Sequence, residues 1–273
     1  MKVGYTVTFH HSDHIRPNGR HVVNSNINSF YDNCKYNFES FVIDNESVPR
    51  DTFNSIFDLD SDRYKNLKYT YIEDQNIKGI TGAWSLGIKQ AIDAGCDIII
   101  LTTDDVIIDS TINNLIKHIE LDTENNNNAI YGPVGRGVNV PLQTANEPTG
   151  KILEIEGKVC PYHLGGHMYA FTKEFYHKWA KSNGDLFVIN HRHNGGDGKW
   201  GGSEGNAMCW AEEGAKCFIV GTCWIDHTQH TRYSWKTAKY IDNGEIDKVI
   251  QHYTEVGDTK RVTDLQKSKK HMR

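Results

Sequence analysis

The unbroken apolar run Ile98-Ile99-Ile100-Leu101 leads straight into Thr102-Thr103-Asp104-Asp105. A run of this kind, Asp97–Leu101, suits a strand buried on both faces, so two hydroxyls and two carboxylates arrive together at its carboxyl end. Adjacent acids there suit a hard divalent cation. Mn2+ or Mg2+ takes few protein carboxylates and completes its shell with water and phosphate oxygens. Asp104 and Asp105 are therefore candidate metal ligands. The same acids also fit the start of a helix, where Asp109 or Ser110 would cap and negative charge is favoured.

A second apolar segment, Phe41–Ile43, ends in Asp44-Asn45-Glu46-Ser47. Asp at a strand end often serves only turn chemistry. Beside the Thr-Thr-Asp-Asp element it also offers an acceptor for a nucleobase or ribose while a cation at Asp104 takes a diphosphate. Histidines follow other apolar segments: His10, His11 and His14 after the first, and His227 and His230, spaced H-x-x-H, after Cys217–Ile225. Zinc is not expected, because no further ligand at a standard spacing accompanies the first group and His191 and His193 lie in a polar stretch. The Gly-dense stretch Asn194–Gly202 carries Trp200 and runs into Ser203-Glu204. It reads either as a plain connection or as a hinged lid.

Strands and helices must bring these groups together. The spacing predicts strands at Val3–Phe9, Ser40–Ile43, Leu67–Ile72 and Asp97–Leu101, with helices at Asn24–Asn37 and Ile80–Ala94 between them and at Asp109–Leu121 after them. Alternating β and α implies a mostly parallel sheet, whose ligands bind beyond the carboxyl ends of its strands. The second half reads as α+β, with short strands near Ala129–Tyr131 and Lys151–Ile155 and a helix around Lys173–Ser182. The run Asn125–Asn128 reads as an exposed, mobile loop.

The order Val42-Ile43-Asp44-Asn45-Glu46-Ser47, then GAWSLGIKQA, IIILTTDDV, GGHMYAF, WGGSEGNAMCWAEEGAKCFIV and WIDHTQH resembles the GT-A (Rossmann-like) fold of nucleotide-sugar glycosyltransferases, most similar to the inverting family 2 type. The resemblance spans nearly the whole chain and implies one domain: a nucleotide-binding half over about 1–122, a donor-sugar and acceptor half over about 129–235, and a tail over 236–273. It implies that Asp44 and Asn45 face the nucleotide base with Thr8, Phe9 and His10, and that Thr103 also meets the nucleotide. Asp104, Asp105 and His227, with His230 second to it, would hold Mn2+ or Mg2+. Thr102 stands where the family commonly has the first Asp of its Asp-x-Asp motif, and Ser85 stands near a family Asn. Gly165, Gly166, Trp200 and Gly202 would line the donor or acceptor, and Glu204 would be the general base. The substrates implied are a UDP-, GDP- or dTDP-linked sugar and a hydroxyl acceptor of the glycan class.

Composition narrows the alternatives. The 273 residues carry 38% hydrophobic residues and a net charge of −5, enough for a sizeable core and unsuited to holding nucleic acid by phosphate neutralisation. No apolar stretch approaches the roughly 20 residues of a transmembrane span, and the N-terminus lacks a signal peptide's apolar core. Six scattered cysteines without a C-x-x-C pair fit a reducing compartment, so the expected location is cytoplasmic, in the host cytoplasm if the Asn- and Lys-rich chain is viral. A nucleotidyltransferase would need a Gly-rich loop after the first strand, which TFHHSDHIRPNG does not supply. A non-catalytic carbohydrate-binding protein on the same scaffold predicts that Asp104, His227 and Glu204 do not converge.

Overall fold

The computed structural model describes residues 1–11, 19–45, 47, 50, 56–72, 79–138, 140, 142–155, 164–187, 210–211, 213–228, 246–255, 259, 262–263 and 266. The first half alternates β1 (Lys2–Phe9), α1 (Gly19–Asn33), β2 (Asn37–Asp44), β3 (Leu67–Tyr71), α2 (Gly79–Asp93) and β4 (Ile98–Thr103). The second half adds β5 (Ile107–Ile108), α3 (Ile112–Leu121), β6 (Ala129–Arg136), β7 (Ile152–Ile155), β8 (Met168–Thr172), α4 (Lys173–Trp179), β9 (Lys216–Asp226) and α5 (Ile246–Glu255), the last within the segment read as a tail. Among the described residues no helix is long and apolar enough to cross a membrane.

The strands form one nine-stranded sheet in the order β3-β2-β1-β4-β8-β6-β9-β5, with β7 pairing β9. β3, β2, β1 and β4 are parallel, β8 is inserted antiparallel, and β6 and β9 run parallel to each other. The chain begins in the middle, proceeds to one edge and returns to the other side of β1. That reversal places a ligand crevice between the carboxyl ends of β1 and β4.

β4 shows why the sheet is closed on both faces. Alternate side chains point to opposite sides, so Ile98 and Ile100 join the core formed with Val23, Ile27 and Phe30 of α1 and Leu115 and Ile119 of α3. Ile99 and Leu101 join Trp84 and Ile88 of α2 and Phe175 of α4. All four β4 residues are fully buried, each contributing about 1.5–3 kcal/mol relative to exposure. Close approach holds α2 on β1: a Cβ on Gly87 would lie 2.2 Å from Thr6 Cγ2.

Three sequence expectations are corrected. β4 continues past Leu101 because Thr102 and Thr103 still pair with Val7 and Thr8 of β1. β8 was not expected as a strand; its five buried residues pair with both β4 and β6. The Asn run is a hydrogen-bonded turn: Asn125 Nδ2 donates to Asp122 Oδ1 at 2.8 Å, and Asn128 Nδ2 to the Gly214 carbonyl at 2.7 Å.

Candidate active site

The carboxyl ends of β1, β2, β4, β6 and β9 carry the chemistry. Thr8 and Thr103 are register partners at the β1–β4 crevice. Both hydroxyl oxygens are enclosed and make no hydrogen bond. A buried orphaned hydroxyl is costly.

At the β1–β2 corner the chain knots its own ends together. Asn45 N–H donates to the Phe9 carbonyl at 2.9 Å, His10 Nδ1 lies 2.9 Å from the Asn45 carbonyl, and His11 N–H donates to Ser47 Oγ at 2.9 Å. Asp44 is fully buried. Its Oδ1 accepts the Ser47 N–H and its Oδ2 the Tyr69 hydroxyl, each at 2.8 Å. Burial pushes its carboxyl up to about 6, with the bonds from Ser47 and Tyr69 opposing the shift. Both oxygens thus already serve the protein, and each retains a lone pair.

On the other side of the crevice, Asp104 and Asp105 are 4% and 5% exposed, and His227 is 5% exposed. His227 comes from beyond β9, where pairing of Ile107 with Asp226 and Ile108 with Ile225 brings the two segments together. Its Nε2 lies 3.2 Å from Asp105 Oδ1, and its Nδ1 lies 3.3 Å from the Gly137 carbonyl. Burial lowers the imidazole pKa, but the Asp105 carboxylate, the Gly137 carbonyl and Asp104 together outweigh it, and the net shift is upward. Gly137 has φ +76°, and a Cβ there would lie 2.7 Å from the His227 carbonyl oxygen.

The spacing of Asp105 Oδ1 and His227 Nε2 matches that of two neighbouring ligands of a divalent cation. Adjacent ligands of an octahedral ion at about 2.1 Å lie about 3 Å apart, close to the separation of Asp105 Oδ1 and His227 Nε2. Among the described residues no group of three His, Cys, Asp or Glu side chains is arranged to hold a metal ion. Asp105 and His227, with Asp104 beside them, would supply part of the shell, and water or phosphate oxygens the rest.

Sequence reasoning missed three neighbours of this centre. The His167 ring packs against His227 at a 41° tilt with ring centroids 4.2 Å apart, and its carbonyl accepts from Thr102 Oγ1 at 3.1 Å and Thr103 N–H at 3.2 Å. Arg136 pairs with Asp226. Burial would raise the Asp226 carboxyl, but this guanidinium and the bonds from Thr228 hold it below its usual value. Buried Gln143 accepts the Gly165 N–H at 2.7 Å and donates to the Pro133 carbonyl at 2.7 Å, tying the turn before β8 to β6. Only His167, beside the Gly165-Gly166 pair, left a local signal.

No family profile matches the sequence, and no curated protein matches it. Solved structures do match. A mannosyltransferase from Pyrobaculum calidifontis, PcManGT, in complex with GDP-Man and Mn2+, aligns with a TM-score of 0.56 and 12% identity over 93% of this chain and 63% of its own. GalNAc-T7, with UDP, GalNAc and Mn2+, aligns with a TM-score of 0.55 and 14% identity over 83% of this chain and 43% of its own. This chain has the GT-A fold. S. aureus TarS agrees, with a TM-score of 0.51 and 14% identity over 90% of this chain and 65% of its own. The chain spans less than two thirds of the length of each of these structures.

Within the GT-A fold, the structure brings Thr8, Phe9, His10, Asp44, Asn45 and Thr103 to one end of the crevice. Asp105 and His227 meet beside it, with Asp104 between Thr103 and Asp105 in the chain. Gly165 and Gly166 precede β8, whose Met168 pairs with Thr102. Ser85 turns away from the crevice chemistry, donating to the Phe187 carbonyl at 3.1 Å. Glu204, Trp200, Gly202, His14, His191, His193 and His230 lie outside the described residues.

Proposed function

We propose that the protein is a metal-dependent inverting glycosyltransferase that moves a sugar from a nucleoside-diphosphate donor to a hydroxyl acceptor, with a glycan as the favoured acceptor class. The observation that carries this reading is the meeting of Asp105 with His227, from opposite halves of a GT-A sheet, beside Asp104. Mn2+ in the structures of GalNAc-T7 and PcManGT supports the same assignment.

Asp104, Asp105 and His227 would hold Mn2+ or Mg2+, which when bound would offset the charge that develops on the departing diphosphate. The hydroxyls of Thr8 and Thr103 meet the nucleotide, and the knotted β1–β2 corner at His10, Asp44 and Asn45 forms the base end. Glu204 takes the proton of the acceptor hydroxyl as its oxygen bonds to the anomeric carbon. The bond from that carbon to the diphosphate breaks on the opposite face, so configuration inverts. Trp200, Gly202, Gly165 and Gly166 are assigned to the donor or acceptor sugar.

The test is release of nucleoside diphosphate from a panel of UDP-, GDP- and dTDP-sugars with Mn2+, comparing wild type with Asp104→Asn. Release from one donor series by wild type, lost in the variant, is expected. Equal release by both proteins, or none from any donor, contradicts the proposal.

A further inference from the structure

α1 buries Val22, Val23, Ile27 and Phe30 in the core, yet Asn26 on the same buried side is fully enclosed as well. Both of its amide hydrogens are used. Nδ2 donates to the Thr103 carbonyl at 3.2 Å and to the Val106 carbonyl at 2.7 Å, the residues immediately before and after Asp104-Asp105. Oδ1 accepts the Tyr5 hydroxyl at 2.7 Å. Two carbonyls can only accept, so they fix which end of the amide faces the loop. Tyr5 is itself buried and stacked on Phe30, with centroids 3.8 Å apart and planes 5° apart. Burial raises its phenol pKa well above the usual value, which keeps it a donor.

The grip continues along α1 at helical spacing. Ser29 Oγ accepts the Ile108 N–H at 3.0 Å, and Asn33 Nδ2 donates to the Ile108 carbonyl at 3.0 Å. Positions 26, 29 and 33 share one side of a helix, and together they bind the segment 103–108 from the start of the acidic loop to β5. An apolar side chain at 26 would fill the space, but it would take the Asn26 donor from the buried Val106 carbonyl and leave the Thr103 carbonyl only the Thr102 hydroxyl at 3.0 Å.

We propose that Asn26, oriented by Tyr5, is a positioning residue that sets the backbone of the acidic loop so that Asp104 and Asp105 meet the cation. The inference rests on the functional reading above for the cation. Groups outside the ligand shell that orient its ligands typically change metal affinity by about 10–100-fold.

The experiment measures Mn2+ affinity by electron paramagnetic resonance of the free ion, without nucleotide, together with amide hydrogen exchange, for wild type and Asn26→Leu. The expected result is about a tenfold loss of Mn2+ affinity, with faster exchange at residues 103–106 and unchanged exchange at 98–101. If Asn26→Leu does not fold, Tyr5→Phe, which removes one hydroxyl, is expected to weaken Mn2+ binding by the same route. Unchanged Mn2+ affinity in a folded variant overturns the role of Asn26 while leaving the functional reading intact. Wild type that binds no Mn2+ defeats the metal part of that reading, and the role of Asn26 falls with it. Faster exchange across all of β4 would also overturn it, since the residue would then be a general core contact.

Discussion

His227 Nε2 lies 3.2 Å from Asp105 Oδ1, and the two side chains are only 5% and 7% exposed. A charge buried to this degree is tolerated when paired, and removing one partner strands the other. His227→Ala is expected to destabilise the metal-free protein at pH 6 by about 3 kcal/mol, read by urea denaturation in chelator. The raised imidazole pKa fixes the sign. The contribution of the pair is full below the usual His value of 6.5 and is lost as pH rises through the folded value. The gap between variant and wild type should therefore narrow at alkaline pH; a gap independent of pH would show that the two groups do not share a charge.

Asp44 titrates in the opposite sense from a salt-bridged acid. Its carboxyl is raised from 3.8 to about 6 by burial, so the folded protein binds that proton more tightly than the unfolded chain. The resulting stability is full below 3.8 and lost as pH rises past 6, a change of about 3 kcal/mol. Asp44→Asn cannot titrate. Its stability relative to wild type should improve by about that amount between pH 4 and pH 8, measured by denaturant unfolding at both; a constant difference would contradict the raised value.

Gly137 meets two constraints at once, a φ of +76° and a Cβ position 2.7 Å from a backbone oxygen of His227. Gly137→Ala is expected to cost about 1–3 kcal/mol and to weaken Mn2+ binding, because the strain is relieved by moving His227 away from Asp105. Calorimetric unfolding and a Mn2+ titration check the two halves; a destabilised variant with full Mn2+ affinity would separate this turn from the site.

Glu204→Gln should retain Mn2+-dependent nucleotide binding and lose sugar transfer, since only the proton acceptor is removed. Equal loss of binding and transfer would remove Glu204 from the role of base.

Much of this architecture is legible in the sequence. The apolar run at Ile98–Leu101 places Asp104 and Asp105 at a strand end without any tertiary information, and the βα alternation gives the parallel half of the sheet. The meeting of His227 with Asp105 is implied in the sequence only by the resemblance and not by periodicity, because it depends on two-residue β5 pairing with the end of β9. β8 escapes for a related reason: five buried residues beside a Gly-Gly step look alike as strand or loop. Gln143 gives no local hint, since its partners at Pro133 and Gly165 lie far along the chain. Asn26 does leave one, as a polar residue at helical spacing among Val22, Ile27 and Phe30.

The central claim is that a cation at Asp104, Asp105 and His227 joins a nucleoside diphosphate to the crevice. Titration calorimetry of UDP, GDP and dTDP into the purified protein, each with Mn2+ and with chelator, tests it without knowledge of the acceptor. The account predicts that one nucleotide binds with Mn2+ and loses that affinity in chelator and in His227→Ala. Binding of no nucleotide, or equal binding with metal and with chelator, would contradict it.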